Sequence, residues 1–315
     1  MKTIALTGAT SMIGIALIKQ CIQNNIKVVA FIRSDSSRLN RLPKSELITL
    51  INCDLDSIKN FDFEKYDLKD IDVFYHFGWS HTDKQGRCDS NKQIENVNYT
   101  ISVVNFAKRI GCKKFIGAGS QAEYGRVNTS LTGTTSVNPE NAYGISKYAA
   151  GKLAKIECEK LGLEYVWIRI LSVYGANDNE KTLLKDFIIN CKENKPMPLG
   201  PCTHIWDYLH EDDAGRAFLD IGKKGLNGKI YCLGSGVGRQ LKEYLEVIKN
   251  LINPSYKIKY GEIPYTEQSL MYLCADISEL TKDTGWKPEI SFENGIRRIN
   301  KEKPNEENKY TDTVL

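Results

Sequence analysis

The strongest constraint on how this chain folds lies near its start, where the apolar run Met1 to Leu6 enters Thr7-Gly8-Ala9-Thr10-Ser11-Met12-Ile13-Gly14. Apolar residues at helical spacing then follow over Met12 to Gln23, and a second apolar run spans Lys27 to Ile32. Strand, glycine-bearing turn, helix and strand in that order open a βαβ unit. At such a turn a pyrophosphate can rest on free backbone N–H groups at the positive end of the helix. Gly8, Thr10, Ser11, Met12, Ile13 and Gly14 are therefore the candidates for holding a dinucleotide. Ser11 stands where a second glycine is usual, and its hydroxyl is able to donate to a phosphate oxygen.

Further apolar runs at Leu47 to Ile51, Val73 to His76, Phe115 to Ala118 and Tyr165 to Ile170 alternate with helical patterns, notably Val97 to Ile110 and Ala142 to Leu161. This alternation predicts an α/β fold, a Rossmann-type doubly wound parallel sheet covered by helices on both faces. After Gly175 the pattern loosens into turn-rich sequence (Gly200-Pro201, Asn227-Gly228, Gly234-Ser235-Gly236) with a late helix near Leu241 to Leu251. Residues 1–175 are thus expected to form the cofactor domain, 176–300 a smaller, mainly substrate-binding C-terminal lobe, and 301–315 a polar tail. The tail carries too little apolar surface to offset the entropy of ordering it.

Composition narrows the partners. Lys and Arg number 43 against 39 Asp and Glu, a formal charge of +4 with no long basic block, so no nucleic-acid partner is expected, while a small anion is easy to hold. The nine cysteines are scattered, with no Cys-x-x-Cys pair and no histidine at ligand spacing; they read as reduced thiols, and no metal site is expected. The N-terminus has no secretory pattern, and no apolar run approaches the ~18 residues of a spanning helix. A cytoplasmic protein without a membrane partner is expected.

At the end of the second strand, where a carboxylate would bind the ribose hydroxyl of NAD, the chain reads Phe31-Ile32-Arg33-Ser34. A guanidinium there favours a 2′-phosphate, which a carboxylate would repel, so NADP(H) is the expected cofactor. Asp54 and Leu55, following the third strand, are in range of the adenine edge.

Tyr143 and Lys147 lie four residues apart on a helix and so share a face. A nearby ammonium favours phenolate and is expected to lower the tyrosine pKa toward a useful value. Ser120 follows the Phe115 to Ala118 strand, where a hydroxyl can hydrogen-bond a substrate carbonyl or carbinol oxygen. Together the three make a proton-handling site beside a nicotinamide.

On these motifs the sequence resembles the extended short-chain dehydrogenase/reductases, the NAD(P)-dependent epimerase/dehydratase type acting on nucleotide sugars. The resemblance is carried in order by Thr7 to Gly14, Asn96-Val97-Asn98, Gly119 to Gly125, Asn141 to Lys147, Arg169 to Gly175, Trp206 to Asp213 and Asp276 to Pro288. It implies that Ser120 and Tyr143 hold the reacting oxygen, that Lys147 contacts the nicotinamide ribose, and that Gly78 and Trp79 line the cofactor cleft. It further implies that Leu171, Ser172 and Val173 close over nicotinamide and sugar, and that Asn98 supports the site from its helix. Many relatives have an arginine at position 206 that reaches the nucleotide diphosphate; here it is Trp206. His81 and Tyr124 are candidates for the sugar, with solvent exposure and core packing as their respective alternatives.

Three chemistries share the scaffold. Dehydratases of this type carry a Thr-Asp-Glu triplet where this chain has Ser120-Gln121-Ala122, so dehydration is disfavoured. NADPH suits a net reduction, so the expectation is an NADPH-dependent 4-ketoreductase of a nucleotide-linked 4-keto-6-deoxyhexose, in deoxysugar and polysaccharide synthesis. A nucleotide-sugar 4-epimerase with bound NAD is the alternative, and a non-catalytic NADP-sensing regulator a remote one. Apolar residues on more than one face of the Val97 and Ala142 helices, together with the resemblance, imply a homodimer through a four-helix contact.

Overall fold

The computed structural model describes residues 1–301 apart from Asp67, Lys69 and Glu180; the expected polar tail beyond Lys301 lies outside the described residues. The opening motif is β1 (Thr3–Thr7) followed by α1 (Met12–Gln23). Parallel strands continue as β2 (Lys27–Ile32), β3 (Ile48–Asn52), β4 (Val73–His76), β5 (Lys114–Ser120) and β6 (Glu164–Ile170), with α2 (Ser90–Arg109) and α3 (Ala142–Leu161) crossing over between the last three. The later chain adds β7 (Ser172–Tyr174), α4 (Leu183–Glu193), β8 (Ile205–Trp206), β9 (Tyr208–His210), α5 (Glu211–Lys224) and β10 (Ile230–Leu233). It ends with β11 (Arg239–Gln240), α6 (Leu241–Ile252), α7 (Ser278–Thr284) and α8 (Phe292–Lys301).

The main sheet runs β3-β2-β1-β4-β5-β6-β10, all parallel, so the fold is the doubly wound α/β sheet the alternation predicts. Its strands are apolar on both sides because both sides are covered. Ile4, Leu6 and Ile116 pack beneath α1 and α5, while Ala5, Phe31, Phe74 and Phe115 pack beneath α2 and α3. Strand order reverses between β1 and β4, and the crevice outside the carboxyl ends there is where such sheets take their ligands.

The chain beyond residue 175 does not form a separate layer at once. Helix α5 packs on α1, and β10 joins the sheet beside β6 with Ile230 opposite Trp167. Only α4, α6 and α8 build a core of their own, around Phe187, Leu245, Ile248 and Phe292. Two buried acids tie this lobe to the sheet. The Asp207 carboxylate accepts from the Ser235, Gly236 and Ala275 amides at 2.7–3.1 Å, and Asp213 accepts from the Glu289 and Ile290 amides.

Helix α2 starts seven residues earlier than its apolar spacing indicates, at Ser90 rather than Val97. Its N-cap is Asp89, whose carboxylate accepts from the Asn91 and Lys92 amides. The first two turns are polar but for the exposed Ile94, which is why periodicity missed them. No helix among the described residues is long and apolar enough to cross a membrane.

Candidate active site

The glycine turn is shaped by close backbone approach. Gly8 has φ +72°, and a Cβ there would stand 2.6 Å from the Phe77 carbonyl carbon; one on Gly14 would stand 2.4 Å from Gly8 O. Ser11 caps α1: its hydroxyl donates to Gly8 O at 2.7 Å and accepts from the Gly14 amide at 3.1 Å. The Ser11 proton is therefore committed inside the turn rather than offered to a phosphate, which corrects the expectation for this side chain. Thr10, Met12 and Ile13 remain partly open, and the amides of the first helical turn have no acceptor within the helix.

Three further expected residues meet beside this turn. Gly78 lies against Leu55, whose Cδ1 would be 3.2 Å from an added Cβ, and its amide donates to Thr7 Oγ1. Asp54 Oδ1 is buried without a hydrogen-bond partner, an acceptor waiting for a donor such as an exocyclic amine. The orphaned carboxylate oxygen, the Cβ-intolerant turn and the helix end fit a dinucleotide, with Asp54 and Leu55 toward the base and Gly8 to Gly14 toward the pyrophosphate. Arg33 is exposed at the end of β2, its Nε 3.9 Å from Asp35 Oδ1, in a loose pair that leaves it free to turn.

At the ends of β5 and α3 the candidate catalytic groups converge. The Lys147 ammonium is buried, donates to Ala118 O at 2.7 Å and sits 3.7 Å from the centroid of a Trp79 ring. Trp79 in turn meets the Tyr143 ring edge-to-face, centroids 6.0 Å apart, and its indole N–H donates to Gln93 Oε1. Burial lowers the Lys147 pKa to about 7, with Glu123 opposing the shift and Arg87 adding to it. The Tyr143 phenol moves the other way from expectation. Burial raises it, and the charge that most offsets this is Arg87, followed by the nearby Ser120 hydroxyl, with Glu123 pushing it up again. Lys147 is thus held against Ala118 and Trp79, its ammonium 5.9 Å from the centroid of the Tyr143 ring, and the nearer cation over that ring, at 4.6 Å, is the Arg87 guanidinium, which no motif singles out.

Glu123 is the hidden organiser here. Fully buried, it accepts from the Ser120 amide and the Trp167 indole through Oε1, and from Arg169 Nε through Oε2 at 2.8 Å. The Ser120 hydroxyl accepts from the Ala122 amide, so the same turn fixes backbone and side chain of the serine. Asn96, not Asn98, supports the site from α2. Asn96 accepts from the Ser80 amide at 2.7 Å and donates back to Ser80 O, whereas Asn98 is exposed.

The candidate sugar contacts divide. Tyr124 is fully buried and its hydroxyl donates to Thr132 O at 2.7 Å, so it packs beneath the site and does not line a sugar pocket. His81 is exposed, 3.8 Å from Glu95, with its carbonyl accepting from Gln93. Ser172 is partly open and accepts from the Trp206 indole at 2.8 Å, so the tryptophan that replaces an arginine is turned onto β7. Leu171 is buried, its amide bound to Leu233 O, while Val173 is partly open opposite Leu209.

Residues 4–234 match the model of the NAD dependent epimerase/dehydratase family. A putative UDP-glucose 4-epimerase of Methanocaldococcus jannaschii is 27% identical over 94% of this chain and 96% of its own. A dTDP-4-dehydro-6-deoxyglucose reductase of Escherichia coli is 24% identical over 94% and 96%. Among solved structures, a UDP-N-acetylglucosamine 4-epimerase from Methanobrevibacter ruminantium, in complex with UDP-N-acetylmuramic acid, superposes with a TM-score of 0.84 at 23% identity over 95% and 96%, a likeness of fold. A glycine turn at the sheet's switch point, a Ser–Tyr–Lys cluster beside it and a family match over most of the chain lead to one assignment: this protein is an NAD(P)-dependent enzyme of the extended short-chain dehydrogenase/reductase type and belongs to the NAD dependent epimerase/dehydratase family.

Proposed function

We propose that the chain is an NADPH-dependent reductase of a nucleotide-diphosphate-linked 4-keto-6-deoxyhexose, serving deoxysugar and polysaccharide synthesis in the cytoplasm. The observation that carries this reading is the state of Glu123. It is the one carboxylate in the Ser120–Glu123 turn, and both its oxygens are engaged, by Ser120, Trp167 and Arg169. No acid remains in that turn to eliminate water, so proton transfer at a single sugar oxygen is the chemistry these residues support.

A bound reduced nicotinamide supplies hydride and with it both electrons. Tyr143 then gives its phenolic proton to the sugar oxygen, and Ser120 stabilises the developing alkoxide. Lys147, fixed by Ala118, orients the ribose side of the cleft. Residues 1–175 would carry most of the cofactor contacts, and 176–300, with Ser172 and Val173 at the seam, most of the sugar-nucleotide contacts. The exposed, loosely paired Arg33 supports NADP(H) over NAD(H), and the relative named as a dTDP-4-dehydro-6-deoxyglucose reductase supports the same reaction class. All nine cysteines are free thiols, in keeping with a reducing compartment.

Mixing the protein with NADPH and 4-keto-6-deoxyhexoses on several nucleotide bases should consume the reduced-nicotinamide absorbance, and no decay with any of them would overturn the assignment. A second reading, 4-epimerisation with retained NAD, is favoured by the relative named as a putative 4-epimerase. Gluco/galacto interconversion without added reductant would establish it. A homodimer through α2 and α3 belongs to the same proposal. These helices pack together and expose Ile94, Ile145, Leu153 and Ile156, apolar area that a second copy would cover. A light-scattering mass of one protomer at micromolar concentration would rule it out.

A further inference from the structure

We infer that Arg87 is a positioning residue for Tyr143, a permanently charged partner on the ring face of the proton donor that stabilises it as the proton leaves. Its guanidinium carbon lies 4.6 Å from the centroid of the Tyr143 ring. It forms no ion pair with a carboxylate among the described residues, although the side chain is exposed and able to find one. An arginine that keeps no acid beside it and lies on an aromatic face is held there by the ring itself.

The loop that delivers it is built rather than loose. Gln93 on α2 donates to His81 O and Gly86 O at 3.0 and 2.9 Å, and Asn96 clamps Ser80 from both sides. The Gly86 amide donates to Asp83 Oδ1, the Arg87 amide donates to Asp83 O, and a Cβ on Gly86 would stand 2.8 Å from His81 O. Two buried side chains of α2 thus fix the turn that places Arg87 over the phenol.

Of the other groups facing Tyr143, Lys147 on the same helix is the one cation among the described residues. Its ammonium lies farther off, 5.9 Å from the ring centroid, is bound to Ala118 and Trp79, and burial lowers its pKa to about 7, so its charge is not permanent. Ser120 at the end of β5 is neutral; Trp79 after β4 is neutral; Glu123 after β5 carries the opposite sign. In the reduction the carbonyl carbon gains hydride and the nicotinamide is oxidised. The Tyr143 O–H bond breaks, the sugar O–H bond forms, and the negative charge stays on the phenolic oxygen. A fixed cation against the ring lowers the energy of that charged state.

The inference rests on Tyr143 being the proton donor, so its test includes a measurement that needs no turnover. In the full chain, a difluorotyrosine at position 143, whose phenol ionises in the neutral range, is titrated by its absorbance against the Tyr143→Phe protein as blank. Arg87→Gln should raise the midpoint by ~1 pH unit, and Arg87→Lys by less. In turnover with natural tyrosine, Arg87→Gln should lower kcat ~10-fold with KM within about twofold, and move the alkaline limb of kcat/KM upward by the same shift. An unmoved midpoint would overturn the inference, as would a rise in KM alone. If Tyr143→Phe leaves turnover intact, the proposed function fails while the titration still decides the role of Arg87.

Discussion

Thr7 Oγ1 lies 2.7 Å from His76 Nδ1, and the hydrogen bonds on either side determine where each proton sits. The Thr100 hydroxyl donates to Asn96 O, so it accepts from His76 Nε2–H at 3.2 Å. Nδ1 is then the acceptor for the Thr7 hydroxyl, which itself accepts from the Gly78 amide. One neutral imidazole satisfies the whole run from the cofactor cleft to α2, and burial, with Lys147 adding to it, holds the His76 pKa down to about 3.

A pH dependence with a definite sign follows. The folded pKa lies below the ordinary ~6.5, so the unfolded chain takes the proton first. The stabilisation is complete above ~6.5 and is lost as the pH falls through that value toward the folded pKa. His76→Gln should be less stable than the parent by ~1–3 kcal/mol near neutrality, with the deficit shrinking in acid. Glu211 acts in the opposite direction. Burial raises its carboxyl to about 7, so its contribution fades as the pH rises from the ordinary glutamate range, and only the parent–variant difference isolates His76. Urea unfolding of both proteins over this range checks the point; parallel curves would refute it.

The support given by α2 distinguishes two neighbouring asparagines. Asn96→Ala removes both bonds to Ser80 and leaves the partly buried Ser80 amide unpaired, which should cost ~1–3 kcal/mol and lower kcat by loosening the loop that carries Trp79 and Arg87. Asn98→Ala, on the exposed face, should change stability by less than ~0.5 kcal/mol and leave kcat unaltered. Thermal melts and initial rates on the two single variants decide between them.

How far the sequence is legible depends on how local the determinant is. The bounds of α1 and α3 are readable because apolar spacing and capping residues coincide at Ser11 and Asn141. The polar first turns of α2 conceal its start, although Asp89 carried the cap signal. The return of α5 and β10 to the main sheet depends on contacts with α1 and β6 that no turn signal near Gly175 encodes. At the site, spacing correctly puts Tyr143 and Lys147 on one helix face but says nothing of what covers that face. The burial that raises the phenol, the Ala118 carbonyl that holds the lysine, and Arg87 all come from other segments.

Gly14 tests the turn. Its missing Cβ would fall 2.4 Å from Gly8 O and 2.8 Å from Ala9 O, backbone atoms that cannot rotate away. Gly14→Ala must therefore push the turn off the helix end. It should cost ~1–3 kcal/mol, as overpacking does, and weaken dinucleotide binding. The stabilisation that NADPH gives the parent in a thermal-shift titration should be largely lost in the variant; an undiminished shift would mean that the pyrophosphate does not rest on this turn.

The proposed preference for NADP(H) rests on Arg33. Its exposed guanidinium is held only by a 3.9 Å approach to Asp35, so little must be broken before it receives a 2′-phosphate. A charge-assisted hydrogen bond is worth ~1.5–3 kcal/mol, which corresponds to about 10–150-fold in affinity. Arg33→Ala should therefore raise KM for NADPH by about that factor and leave KM for NADH within about twofold, since the unphosphorylated ribose has no charge to lose. Arg33→Glu should go further and reverse the preference, because a carboxylate repels the phosphate yet accepts from a free ribose hydroxyl. Asp35→Asn removes the competing acid and should sharpen the proposed preference for NADPH. The ratio of kcat/KM for the two cofactors, measured across the three variants, orders them unambiguously: equal losses with both cofactors in Arg33→Ala would remove Arg33 from the cofactor site and the NADP(H) assignment with it.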